Sequence, residues 1–137
     1  MAFDDKFRLS SHAVIIKQDG SEPKVLLLKA TYGNCDWGLP GGALEPGETI
    51  HDALLRECLE ELGVAVKVNY LSGVYYHQAY ESQAFIFKCE LPPAANIMLS
   101  DEHSEYRFIP VSSLSVVQKQ RIEDCLNYNG VVISRRF

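Results

Sequence analysis

No apolar run in these 137 residues approaches the 18 or so that a membrane span requires, and the first eleven, MAFDDKFRLSS, contain no apolar core of signal-peptide length. The expectation is a soluble, cytoplasmic protein with no membrane partner. Basic residues are outnumbered, 13 Lys and Arg against 18 Asp and Glu, for a net charge of −5. That balance argues against nonspecific binding to nucleic acid, where a basic face supplies most of the affinity, and it means that a phosphate-bearing ligand would need local help. The four cysteines, Cys35, Cys58, Cys89 and Cys125, form no C-x-x-C pair, so the sequence suggests neither a zinc site nor a dithiol redox motif and fits a reducing compartment. Repeats, low-complexity stretches and linkers are lacking too. The chain reads as one domain over residues 1–137, acting as a monomer or homodimer.

What is present is strand pattern around one well-marked helix. SHAVIIKQ and KVLLLK read as two strands joined by the turn-rich DGSEP. GNCDWGLPGGALEPGE, with five glycines and two prolines, excludes a helix and predicts a long structured loop with Trp37–Leu39 as a short strand. Thr49 with Asp52 forms a capping box and Gly63 a C-terminal stop, which places a helix over Ile50–Leu62. VAVKVNYL, SGVYYH, QAFIFKCEL and EYRFIPV follow as strands. Val117, Ile122, Cys125 and Leu126 pattern a second helix between Ser115 and Asn127 that closes the chain. The fold class is α/β.

Within the first helix Leu54, Leu55, Cys58, Leu59 and Leu62 predict one broad apolar face, and Glu57, Glu60 and Glu61 a narrower acidic arc opposite it. Like charges three and four positions apart repel, costing roughly 0.2–0.5 kcal/mol per pair. Either the arc is merely solvated or a positive charge belongs there. Oxygen-only ligands on a rigid helix suit a hard cation such as Mg²⁺ or Mn²⁺, often shared with substrate phosphates.

The segment Leu39–Val64, LPGGALEPGETIHDALLRECLEELGV, carries Gly42, then Glu48 after five residues, Arg56-Glu57 after seven more, and Glu60-Glu61, Gly63 and Val64. It resembles the Nudix box, G-x5-E-x7-R-E-U-x-E-E-x-G-U with U bulky aliphatic, at every fixed letter. Cys58, a small buried hydrophobe, stands at the first U. Seven fixed letters match by chance on the order of 10⁻⁹ per starting position. The resemblance implies a Nudix-type α/β/α sandwich with a mixed sheet and a catalytic loop-helix-loop. It implies Mg²⁺, with Mn²⁺ as a substitute, held by Glu57, Glu60, Glu61 and the Gly41 carbonyl. Arg56 is expected to bond Glu48, tying loop to helix and orienting Glu57.

The reaction so implied is hydrolysis of a nucleoside diphosphate linked to another moiety, by water attack on phosphorus, with a nucleoside triphosphate or a dinucleoside polyphosphate as substrate. Glu102, in LSDEHSEYRFIP, is preferred over Glu105 as a further carboxylate, a metal ligand or base, because Glu102-His103 with Tyr106-Arg107-Phe108 resembles an E-H-x-x-Y-[RQ]-[WF] pattern of several Nudix subfamilies. The same pattern, with VLLLKA and LEPGE, is similar to asymmetrical diadenosine tetraphosphate hydrolases. Those enzymes by resemblance carry a tyrosine where Tyr80 stands, and strand alternation would put Tyr76 on the same face. Trp37 and Lys29 complete the candidate substrate contacts. Two rival readings are a non-catalytic nucleotide-sensing Nudix module and a GDP-sugar glycosyl hydrolase. The latter shares a His before Tyr-Arg, here His103 with Tyr106-Arg107, but by resemblance has a degraded box.

Overall fold

The computed structural model describes residues 2–137; Met1, the first residue of the expected domain, lies outside the described residues. In chain order the elements are β1 (Arg8–Asp19), β2 (Glu22–Ala30), β3 (Trp37–Gly38), β4 (Gly41–Ala43), α1 (Ile50–Leu62), β5 (Lys67–His77), β6 (Ser82–Glu90), β7 (His103–Pro110), α2 (Val116–Leu126) and β8 (Ile133–Arg136). They form the expected α/β/α sandwich around one mixed eight-stranded sheet, in which β1–β6 and β5–β8 are parallel pairs.

Alternation distributes the core to the two faces. Ala13, Ile15, Leu26, Leu28, Phe87 and Cys89 pack toward Leu54, Cys58 and Leu62 of α1. Val14, Val25, Leu27 and Ile86 pack the other way, toward Ile122 and Cys125 of α2. Strands covered on both faces read as continuous apolar runs, which is why AVII and VLLL lack polar interruptions. No helix among the described residues is long and apolar enough to cross a membrane.

The sheet is opened where the site lies. β1 and β2 pair only near their turn, Ile16–Asp19 against Glu22–Val25. Beyond it β3 takes the facing edge of β2, at Leu28 and Lys29, and β4 takes that of β1, at Ser10–His12. The segment Trp37–Ala43 is thus a wedge between two parted strands.

Several expectations need correction. The wedge contributes a second short strand, β4, which Gly-Gly-Ala has no local propensity to form and which exists through its pairing with β1. KVNYL and SGVYYH are one strand, β5, which starts at Lys67 rather than Val64 and whose register against β6 shifts near Tyr70 and Gly73 without a break in pairing. The second helix does not close the chain; β8 follows it and pairs with β5. On α1 the apolar face is rotated from the expected one. Leu55 and Leu59 are 43 % and 54 % exposed, whereas Glu61 is 3 % exposed. The packed stripe runs Ala53, Leu54, Cys58, Glu61, Leu62, so the acidic arc adjoins the buried face and enters it.

Candidate active site

The helix that carries the carboxylates is held at both ends. Thr49 accepts from the Asp52 amide, the Asp52 carboxylate accepts from the Thr49 amide, and Gly63 closes the C-terminus in the left-handed region at φ 71°. The Met98 amide donates to the Leu62 carbonyl at 2.8 Å, and buried Ser11 Oγ on β1 donates to the Ile50 carbonyl at 2.8 Å. The helix cannot slide along the sheet without losing these bonds.

Two glycines bring the loop onto it. A Cβ on Gly41, whose φ is 141°, would lie 2.1 Å from the Ser11 carbonyl oxygen and 2.7 Å from the His12 Cα. A Cβ on Gly42 would lie 2.7 Å from the Glu57 carboxyl carbon. The Glu57 carboxylate therefore occupies the space a side chain at 42 would take. The Gly41 amide donates to Glu61 Oε1 at 3.1 Å.

Arg56 fastens loop to helix. Its Nε and Nη2 donate to the two Glu48 oxygens at 2.7 and 2.9 Å, a bidentate pair, and Nη2 also donates to the Ala43 carbonyl at 3.1 Å. Its Nη1 reaches Glu57 Oε1 at 2.9 Å and Glu60 Oε2 at 3.4 Å. The hydrogen bonds from Arg56 hold the Glu48 carboxyl down at about 2.

Glu61 behaves oppositely. Burial pushes its carboxyl up to about 8 against the pull of the Gly41 amide, and neighbouring Glu57 raises it further, by repulsion and by hydrogen bonding. Glu102 adds a smaller repulsion. Among the described residues no three His, Cys, Asp or Glu side chains are gathered closely enough to hold a metal ion. The arrangement gives the reason, since Arg56 draws exposed Glu60 and one oxygen of Glu57 toward itself. The donor chemistry nevertheless fits a hard divalent cation. Buried Glu61 beside Glu57 is a place where positive charge is missing, and a proton takes that place up to about neutral pH.

Beside the carboxylates the wedge opens a cavity of about 600 Å³, bounded by the end of β2, the loop from Tyr32 to Gly42, Tyr80 and His103. Trp37 is half-buried in its wall, with the Arg107 guanidinium 5.2 Å from the ring centre. Arg107 in turn pairs with Glu105 at 2.6 Å, so of the two candidate carboxylates Glu105 is engaged elsewhere. Glu102 lies in the turn whose carbonyl accepts from the Thr31 amide at 2.9 Å, close enough to the cavity to perturb Tyr32 and Glu61.

The NUDIX domain family model matches residues 6–125. The chain belongs to the Nudix family. A MutT-like protein of Streptomyces ambofaciens is 37% identical over 82 residues, 60% of this chain and 51% of that protein. An ADP-ribose pyrophosphatase of Methanocaldococcus jannaschii is 41% identical over 78 residues, 51% of this chain and 44% of that protein. The chain thus spans about half the length of these relatives. A solved Ap4A hydrolase of C. elegans superposes with a TM-score of 0.72 at 19% identity, over 85% of this chain and 93% of that one, and shares its fold.

Within this Nudix domain the structure brings Glu48, Arg56, Glu57, Glu60, Glu61 and Gly41 together and puts Trp37 and Tyr80 at the adjoining cavity; Glu102 is not itself in the cavity wall but precedes His103, which is. Tyr76 and Lys29 are not among the residues that bound it. Tyr76 does not share a face with Tyr80 because β5 ends at His77 and a 3₁₀ turn, Gln78–Tyr80, swings Tyr80 out. Tyr76 instead packs edge-on against Phe7, ring centres 6.4 Å apart. Lys29 pairs with Trp37 in the β2–β3 ladder. Tyr80 is 71 % exposed, which rules out a core-filling role. His12 was not legible as a cavity residue: a lone histidine in an apolar strand carries no spacing signal, and only the parting of β1 from β2 uncovers it.

Proposed function

We propose that this domain hydrolyses a pyrophosphate linkage in a nucleoside diphosphate joined to another moiety, with a nucleoside triphosphate or a dinucleoside polyphosphate as substrate. The observation that carries this reading is the Glu57–Glu61 pair, pressed against Gly42 and Gly41 beside a cavity large enough for a nucleoside. Glu57, Glu60, Glu61 and the Gly41 carbonyl would hold Mg²⁺ or Mn²⁺. When bound, the cation would offset the charge of the substrate phosphates and lower the pKa of water, easing its deprotonation by a protein base.

The chain's own residues do the rest. Arg56, fixed by Glu48, holds the Glu57 carboxylate in place through Oε1. Glu102 accepts the proton of the attacking water, while Trp37 and Tyr80 hold the base against the cavity wall. The relatives bear names for substrates as unlike as ADP-ribose and Ap4A, which supports the reaction class more than any one substrate.

A panel of nucleoside triphosphates, dinucleoside polyphosphates, ADP-ribose, NADH and GDP-sugars, each with Mg²⁺ and with EDTA, tests it. Metal-dependent release of a nucleotide is expected, with Glu57→Gln and Glu61→Gln each losing at least about 100-fold in kcat while staying folded. Turnover insensitive to EDTA would refute the metal assignment. Silence across the whole panel would favour a nucleotide sensor, and free sugar from a GDP-sugar would favour attack on carbon.

A further inference from the structure

On the α2 side of the sheet Arg121 is a cation without a counter-ion. Its side chain is half-buried, and its Nε is sealed from solvent with no hydrogen-bond partner. Nη1 donates to Gln118 at 3.3 Å, and Nη2 contacts His77 Nε2. Asp124, one turn along α2, is taken by Arg135 at 2.8 and 3.0 Å and by the Tyr75 hydroxyl at 2.8 Å. Among the described residues no carboxylate pairs with Arg121. An uncompensated buried guanidinium is costly, and an anion is the usual remedy.

The surroundings point to where that anion would come from. Arg121 lies at a cavity of about 200 Å³ with Ser10, His12, His77, Tyr80 and Ser82. Ser10, His12, Tyr80 and Ser82 also line a neighbouring cavity of about 300 Å³ that includes Arg8 and Gly42. His12 and Tyr80 belong as well to the large cavity beside the carboxylates. The three cavities therefore adjoin through His12 and Tyr80, and, Tyr80 apart, the ionisable side chains that line the two smaller ones, Arg8, His12, His77 and Arg121, are all basic. In a chain of net charge −5 this is the local basic help that a longer phosphate chain requires.

We infer that the Arg121 pocket binds a phosphoryl group of the substrate beyond the linkage that is cleaved, which selects substrates with three or more phosphoryl groups over those with two. The inference rests on the hydrolase reading for its substrate, but the pocket itself can be tested without turnover. The guanidinium fork suits a phosphoryl oxygen pair, and the Ser82 hydroxyl in the same pocket can donate to a further oxygen.

The first test uses inorganic phosphate on metal-free protein in EDTA, followed by the imidazole NMR signals of His12 and His77. Both should shift saturably in the wild type and in Glu57→Gln. Arg121→Met, which removes an unpaired charge and should fold, should bind phosphate at least about tenfold more weakly, the loss of one charged hydrogen bond. If that variant fails to fold, Arg121→Lys replaces it, with weakened binding again expected because the fork is lost.

Unmoved signals in the wild type, equal shifts with acetate at the same ionic strength, or undiminished binding in a folded Arg121 variant would each overturn the assignment. In turnover, the ratio of kcat/KM for a tri- or tetraphosphate substrate to that for ADP-ribose should fall at least about tenfold in Arg121→Met. An unchanged ratio would overturn the role in substrate selection. Phosphate binding at Arg121 together with no turnover of any substrate would instead count against the hydrolase reading alone.

Discussion

Glu61 joins the apolar stripe of α1 to its acidic arc, and its titration should be visible in the stability of the metal-free protein. Its carboxyl is raised from 4.5 to about 8 by burial, so the folded state binds a proton there more tightly than the unfolded chain. The stabilisation is complete below pH 4.5 and is lost as pH rises through about 8. His12, His77 and His103 are shifted downward by burial and give the opposite slope, but only below their ordinary value of 6.5. Between pH 6.5 and 8 the decline therefore belongs to Glu61. In EDTA the melting temperature should fall across that window, Glu61→Gln should flatten the fall, and saturating Mg²⁺ should remove it. A flat wild-type profile in EDTA would contradict the environment described for Glu61. The spacing of Glu57, Glu60 and Glu61 made the arc legible from sequence, because helical geometry is local. The burial of Glu61 was not, since hydrophobic periodicity counts leucines and cannot anticipate that a carboxylate takes a packed position while Leu55 and Leu59 do not.

At the scale of elements, what could be read followed how locally each element is specified. Helix α1 was placed from Ile50 to Leu62 because Thr49, Asp52 and Gly63 set its ends through bonds within a few residues. Strand β4 was missed because its three residues are a strand only by virtue of β1 beside them, and β8 because four residues after a helix carry too little pattern. The two glycines of β4 serve different purposes, and alanine scanning should separate them. Gly41→Ala drives a methyl into the Ser11 carbonyl at a φ unfavourable to side chains, and backbone cannot yield cheaply. It should lose more than about 2 kcal/mol of stability in denaturant unfolding, combining strain and overpacking. Gly42→Ala meets only the tip of Glu57, which can rotate away, so stability should change by less than about 1 kcal/mol. Displacing that carboxylate from its place should still cost at least about tenfold in kcat. Equal stability in the two variants, or full activity in Gly42→Ala, would show that the loop is not seated on the helix as described.

Across the whole molecule, the parting of β1 and β2 links fold to site: the Trp37–Ala43 wedge that fills the gap also builds the wall of the main cavity and carries the glycines that meet α1. Tyr80 closes that cavity from the far side of the sheet, on the β5–β6 turn, where Glu81 at φ 46° completes the reversal. Sequence could name Tyr80 but not its orientation, because the 3₁₀ turn breaks the alternation that placed Tyr76 with it. An exposed ring on a turn adds little to the core, so Tyr80→Ala should leave the melting temperature almost unchanged. Stacking of a base on such a ring is worth about 1–3 kcal/mol, which corresponds to a rise of roughly 5–100-fold in the Michaelis constant. The carboxylates lie on a different element and should keep kcat near the wild-type value, the pattern of lost uniform binding. On the proposed reading a dinucleoside polyphosphate would offer a second base to this exposed ring with the first at Trp37, whereas ATP would offer one base to both. The mutation should therefore weaken the preference for the dinucleoside over ATP. Measuring kcat and KM for Tyr80→Ala on both substrates decides the matter: an unchanged ratio would leave Tyr80 without a role in choosing between them, and a fall in kcat at constant KM would place the ring in the chemistry rather than in binding.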